Sequence, residues 1–229
     1  MAVLEGGTSL ALAGVGAEAA SALHTINKPV PHGTLGHYRI AATTGTLAAA
    51  LAANAQLFYL RWTDATRFCV ITSFKASFQT LTPFTAATLT DFGFDLFKAT
   101  SVSAGAGGTD LGALVKTRMR TTGMGASLLD AAGLMRISST GLLTALTTLD
   151  ATAIAQSVGD ANQTNPAGGT EEPRVNDPTL LFRPDVASGE HPLVLGQNEG
   201  IVLRNRTVWP AAGTGIVQIE LAWAEVTAY

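Results

Sequence analysis

Charge is scarce in this chain. Asp, Glu, Lys and Arg make up 14% of its 229 residues, against about 25% in typical soluble domains. Fourteen Lys and Arg stand against seventeen Asp and Glu, for a net charge of −3. The densest basic stretch, KTRMR at Lys116 to Arg120, reads as a solvated strand face. Nucleic-acid binding driven by counterion release needs clustered cations, and this composition excludes it. Cysteine is nearly absent too. Cys69 stands alone, so no internal disulfide forms, and its place in the apolar run RFCVITSF marks a small buried hydrophobe. Long apolar runs are missing: TLAAALAANAQLFYL is broken by Asn54 and Gln56, short of the roughly 18 residues of a membrane span. The N-terminal stretch MAVLEGGTSLALAGVGAEAASAL has Glu5 and no basic residue ahead of its glycine-interrupted apolar part, the wrong order for a secretion signal. The expectation is a protein made and kept in the cytosol.

What the chain does have is apolar bulk, 47% of residues, and strand periodicity. A surface so poor in charge is expected to be covered in part by other protein. Residues 1–35 are small, Gly- and Ala-rich and then Pro-rich, with no sustained period, and are read as an extended N-terminal arm ordered against a neighbouring chain. From residue 36 period-two alternation begins. HYRIAA sets Tyr38, Ile40 and Ala42 on one face. AQLFYLRW sets Phe58, Leu60 and Trp62 against Leu57, Tyr59 and Arg61. TDATR then reads as the turn of a hairpin into FCVITSFKASF, with Phe68, Val70, Thr72, Phe74, Ala76 and Phe78 on one face. Gly93 within DFGFDLF predicts a bulge or a close backbone approach. LAAALAANA and DATAIAQSV are candidate helical turns. The polar stretch at 156–178 is long enough to be functional or disordered. At the C-terminus, IVQIELAW alternates Val217, Ile219, Leu221 and Trp223 with Gln218, Glu220 and Ala222. GIVLRNRTVW reads as its hairpin partner across PAAGTG, and Asn198, Glu199 and Gly200 form the turn that precedes it. With about nine or ten strands, the fold predicted is all-β: a single antiparallel β-sandwich at 36–229, jelly-roll-like or barrel-like, behind the arm.

Chemistry is hard to find. His32 and His37 lack further ligands at metal spacing; His24 and His191 stand alone. Glu171 and Glu172 are adjacent in a polar loop and are not held as a glycosidase pair. Asp160 and Asp177 follow no cation-loop pattern. GVGAEAAS and GMGAS lack the ending of a phosphate loop. No catalytic residue, metal or cofactor is assigned. Phe58, Phe68, Phe74, Phe78, Phe92, Phe94, Trp209 and Trp223 are read as core rather than a glycan cleft. The candidate interaction residues are Leu10, Leu12, Val15 and Leu23 of the arm, together with Trp62 and Tyr229 at segment ends.

Four stretches resemble a poorly characterised set of tailed-bacteriophage virion proteins: FYLRWTDATRFCVITSFKASF, TDLGALVKTRMRTT, RISSTGLLTALTTLDATAIA and HPLVLGQNEGIVLRNRTVWPAAGTGIVQIELAWAEV. They span most of residues 38–226, and the last is the most specific: a Leu-x-x-Asn-Glu-Gly turn, a strand, a Pro-Ala-x-Gly-Thr loop and a final strand closing on Trp-Ala-Glu. The arm before His37 lies outside the likeness. The resemblance implies a structural role in the virion, and the lack of a catalytic constellation makes the expectation a non-enzymatic protein. With the composition, the resemblance favours a homo-oligomeric decoration or cement protein bound to the major capsid protein. A tail, collar or fibre-attachment component and a glycan-binding sandwich are the alternatives. Neither nucleic acid nor membrane is an expected partner.

Overall fold

The computed structural model describes residues 3–6, 11–14, 36–85, 91–114, 116–119, 124–139, 143–144, 147–157, 163–164, 179–185 and 190–227. The chain divides into two compact units, Met1–Pro31 and His32–Tyr229. In the first, β1 (Val3–Gly6) and β2 (Ala11–Gly14) pair antiparallel, Val3 opposite Gly14 and Gly6 opposite Ala11. A ladder forms where side chains show no period because its bonds are made by the backbone alone.

The second unit contains β3 (Gly36–Thr43), β4 (Gln56–Arg61), β5 (Phe68–Thr85), β6 (Phe94–Val102), β7 (Thr109–Asp110), β8 (Thr117–Arg118) and β9 (Met135–Ile137). It continues with β10 (Thr147–Leu149), β11 (Ala155–Gln156), β12 (Gln163–Thr164), β13 (Thr179–Phe182), β14 (Leu193–Leu195), β15 (Gly200–Asn205) and β16 (Ala212–Val226). These build two sheets packed into a β-sandwich, with no helix among the described residues. One runs β10-β6-β15-β4-β9-β7 with β11 also on β6; the other runs β12-β5-β16-β3-β8 with β13 and β14 also on β5. Every described strand pair is antiparallel except β12 with β5. The two expected helical turns are not formed: 47–54 is irregular, with Ala50 and Asn54 at φ 57° and 61°, and DATAIAQSV supplies β11, which pairs with β6.

The long strands alternate between sheets, and this overturns both expected hairpins. β4 and β5, joined by TDATR, lie in opposite sheets, as do β15 and β16. The turn chemistry was right and its use different. Asp64 Oδ1 accepts the N–H groups of Thr66 and Arg67, each at 2.8 Å, folding the chain into a corner that carries it across the core. Between β15 and β16, Arg206 reaches Asp95 at 2.9 Å and Asp91 at 3.0 Å and pins the crossing to the start of β6. Gly213 and Gly215, expected in a hairpin loop, are inside β16.

Between the sheets lies one large core. Tyr38 and Ile40 of β3 enter it as expected, as do Val217, Ile219, Leu221 and Trp223 of β16. Two bulges redirect other side chains. Ala222 faces Ser73 while Trp223 faces Ile71, leaving Thr72 as the extra residue on β5. Beyond it the core set is Phe74, Ala76 and Phe78; before it, Cys69 and Ile71. Phe68 and Val70, expected on the Phe74 face, are turned outward against Val194, Ala224 and Val226. On β4, Leu203 faces Phe58 while Arg204 faces Gln56, so Leu57 is the extra residue and joins Phe58 in the core. Tyr59, on the outer face, is covered by Ala99, Val102, Leu143 and Val202. Gly93 is a close approach, as expected: a Cβ there would fall 2.2 Å from the carbonyl oxygen of Ser157.

Candidate functional site

Two of the buried ionisable side chains of the sandwich, Lys116 and Glu225, belong to one polar cluster. Lys116, expected on a solvated face, is buried; the described residues after it in this stretch, Thr117, Arg118 and Met119, are exposed. The Lys116 ammonium donates to the carbonyl oxygens of Leu111 at 2.7 Å and Gly112 at 3.2 Å, to that of Leu114, and to Asp130 Oδ1 at 3.3 Å. Burial pulls its pKa down, and Asp130 offsets this in part. Asp130 also accepts the backbone N–H of Lys116 at 3.0 Å and that of Ser127 at 3.2 Å. Ser127 Oγ donates to Glu225 Oε1 at 2.6 Å. The Leu128 N–H and the Trp223 indole N–H each reach the same carboxylate at 3.1 Å. A chain of polar contacts thus runs from the loop before β8 to the last strand.

Glu225 is 4% exposed, and burial pushes its carboxyl pKa up despite the donors aimed at it. Cys69, opposite Glu225 in the β5–β16 register, has its thiol pushed well up, first by burial and then by that carboxylate. Tyr38 stacks on Trp223 with ring centroids 5.8 Å apart, and its hydroxyl donates to Gly125 O at 3.0 Å. Burial, then Glu225, holds its pKa at about 12. In this setting Ser127 is no nucleophile. Its proton is committed to Glu225, its oxygen accepts the Leu129 N–H at 3.0 Å, and it is buried. The cluster ties residues 111–114, Lys116 and residues 127–130 to β16, a structural task.

Elsewhere the surface offers a groove of about 300 Å³ on the outer face of the second sheet, lined by Ala41, Thr43, Lys75, Ser77, Gln218 and Glu220 among others. Glu220 there pairs with Lys75 at 3.6 Å and Arg39 at 3.9 Å. It is a polar trough floored by small side chains. Among the described residues no three His, Cys, Asp or Glu are placed to hold a metal. His37 Nε2 lies 3.1 Å from Thr72 Oγ1 and His191 Nδ1 lies 2.6 Å from Pro192 O. His24, His32, Asp160, Glu171, Glu172 and Asp177 lie outside the described residues.

Trp62 requires a correction. It is 1% exposed, and its indole N–H donates to Arg67 O at 2.8 Å across the TDATR corner. The chain itself covers it, because the corner folds back over the ring and leaves nothing for a partner to contact. Leu12 sits in β2 opposite Glu5; Leu10, Val15, Leu23 and Tyr229 lie outside the described residues. Seven of the eight aromatics read as core are buried, and they pack on one another, Phe78 on Phe92 at 5.2 Å and Phe78 on Trp209 at 5.1 Å. Phe68 alone is half-buried, in the outer patch. Among the described residues, the large apolar side chains open to solvent are ones the sequence did not single out: Leu81, Leu114, Met119, Ile154, Leu180 and Val208, from 37% to 58% exposed. Their neighbours in sequence are mixed, so no local pattern separates them from core positions.

The chain matches no family model, no curated protein and no solved structure. No helix among the described residues is long and apolar enough to cross a membrane.

Proposed function

We propose that this chain is a non-enzymatic structural protein of a tailed-bacteriophage virion, a decoration or cement protein that binds the capsid lattice and stabilises the particle. The observation that carries the reading is a charge-poor sandwich, 14% charged, with exposed apolar side chains at Leu81, Leu114, Met119, Ile154, Leu180 and Val208. Single exposed apolar residues are ordinary. Six large ones on a surface with so few charges suit docking on another protein. The ionisable groups fit the same reading, since Lys116, Asp130, Glu225 and Arg206 are engaged in holding the sandwich together. The resemblance of four stretches to phage virion proteins supplies the particle.

The test is copy number and position. Purified particles should carry the protein at a stoichiometry commensurate with the capsid lattice, and particles made without it should release DNA at lower temperature, with readdition restoring the parent value. A few copies per particle, placed at the tail or collar, would replace the decoration role with attachment. Absence from washed particles, or hydrolysis of a polysaccharide by the pure protein, would refute the structural reading altogether.

A further inference from the structure

The Lys116 ammonium is held in a way that resembles the binding of a metal ion more than a surface ion pair. Its side chain is fully buried. Four oxygens surround the nitrogen: the carbonyls of Leu111, Gly112 and Leu114, and Asp130 Oδ1. An ammonium has three N–H donors, so the shell offers more acceptors than the group can use in separate hydrogen bonds. Carbonyl oxygens converging from one short loop, completed by a carboxylate, form the donor set that hard cations take, and rings of backbone carbonyls are the shell of potassium in particular. The shell is built by two segments. Residues 111–114 turn on themselves, Leu114 N–H donating to Leu111 O at 3.1 Å, and Asp130 is steadied from the other side by the N–H groups of Lys116 and Ser127. Without a positive charge at the centre, four oxygen lone pairs would face one another and a mostly buried carboxylate would lose its counterion.

We propose that this oxygen shell is a monovalent-cation site whose resident cation is the chain's own Lys116 ammonium, and that removing the side chain leaves a site that takes potassium or ammonium from solution. Charge selects the valence. One ammonium is matched by one shell carboxylate, Asp130, while the nearby Asp110 is already paired with Arg136 at 3.3 Å and accepts the Gly133 N–H at 2.9 Å. A divalent ion would leave a surplus positive charge in a buried shell; a monovalent ion restores the native balance. The site therefore fastens residues 111–114 and Lys116 to Asp130 and sets the backbone from which Leu114 and Met119 project. The inference does not depend on the virion reading.

The experiment compares the full-length parent with Lys116→Ala, which opens room at the centre of the shell, and Lys116→Met, which removes the charge but fills the space. Each is melted in potassium, ammonium or choline chloride at equal ionic strength. Loss of one partner of a buried pair lowers the midpoint of the alanine variant in choline by on the order of 10 °C. Potassium and ammonium should recover a large part of that loss, saturably, while the parent and Lys116→Met melt alike in all three salts. If Lys116→Ala does not fold in choline, the folded yield on refolding in potassium against choline is the readout, and potassium-dependent recovery is the expected result. Equal behaviour in all three salts, or equal recovery by Lys116→Met, overturns the proposal.

Discussion

Replacing Glu225 with glutamine should make the protein less sensitive to pH in one direction. Glu225 is 4% exposed, and its carboxylate takes the Ser127 hydroxyl at 2.6 Å, the Leu128 N–H at 3.1 Å and the Trp223 indole at 3.1 Å. Those donors favour the ionised form, yet the balance tips the other way because burial penalises the charge more than they reward it. The pKa in the folded protein therefore lies above the ordinary 4.5. A carboxyl group with a raised pKa binds its proton more tightly folded than unfolded. Its contribution to stability is complete below the ordinary pKa and is lost as pH rises through the folded value. While that single group titrates, stability falls by at most about 1.4 kcal/mol per pH unit. Glutamine is nearly isosteric with the protonated acid and does not titrate. Unfolding free energies of parent and Glu225→Gln, measured with urea from pH 4 to pH 7 at fixed salt, share every other titrating group. Their difference isolates Glu225. It should shift in favour of the glutamine variant as pH rises above about 4.5. A difference that is flat in pH, or one that moves in favour of the parent, refutes the claim that burial dominates at this carboxylate.

Trp223→Ala empties a fully buried site beside Tyr38 and should cost about 3–5 kcal/mol, seen as loss of soluble folded protein; a variant that melts like the parent but fails to attach to particles would reverse the inside and outside of β16. Cys69 is 0% exposed with its thiol pushed well up by burial, so thiol reagents should label it only at the rate of unfolding, and fast labelling of native protein would place it at the surface. Deleting residues 1–31, a compact unit by itself, should leave the melting temperature of the sandwich unchanged while lowering incorporation into particles; unfolding of the truncated chain, or full incorporation, would remove the docking role of the arm.

Which face a residue takes was readable where a strand runs without interruption. In β3 and β16 the period of two places Tyr38, Ile40, Val217, Ile219, Leu221 and Trp223 in the core. It fails at Thr72 and Leu57, since a bulge inserts one residue and reverses every face beyond it, and neither threonine nor leucine announces one. Gly93 was legible because glycine inside an apolar strand has few other uses. The Lys116 shell was not. Three of its four ligands are backbone carbonyls, which every residue carries, and a lysine between valine and threonine just ahead of a short strand is ordinarily solvated. The Ser127–Glu225 bond, 98 positions apart in sequence, lies likewise beyond any local pattern.

The two misplaced hairpins have a common cause. Alternation tells a strand which side is apolar, and in a sandwich the apolar sides of both sheets face the same core. A strand leaving a tight turn can satisfy its pattern equally by pairing with its predecessor or by crossing the core to face it. Asp64 closes the TDATR turn in the way it would close a hairpin. What decides for crossing is elsewhere in the chain: β15 fits between β4 and β6, β16 between β3 and β5, and each thereby gains two ladders where a terminal hairpin would give at least one strand a bare edge. Burial on both faces of β15, with Ile201 and Leu203 in the main core and Val202 against Tyr59, goes with that central place. The run GIVL is continuously apolar, the mark of a strand covered on both sides, and that was the one local sign that β15 belongs in the middle of a sheet rather than at the end of the chain's last hairpin.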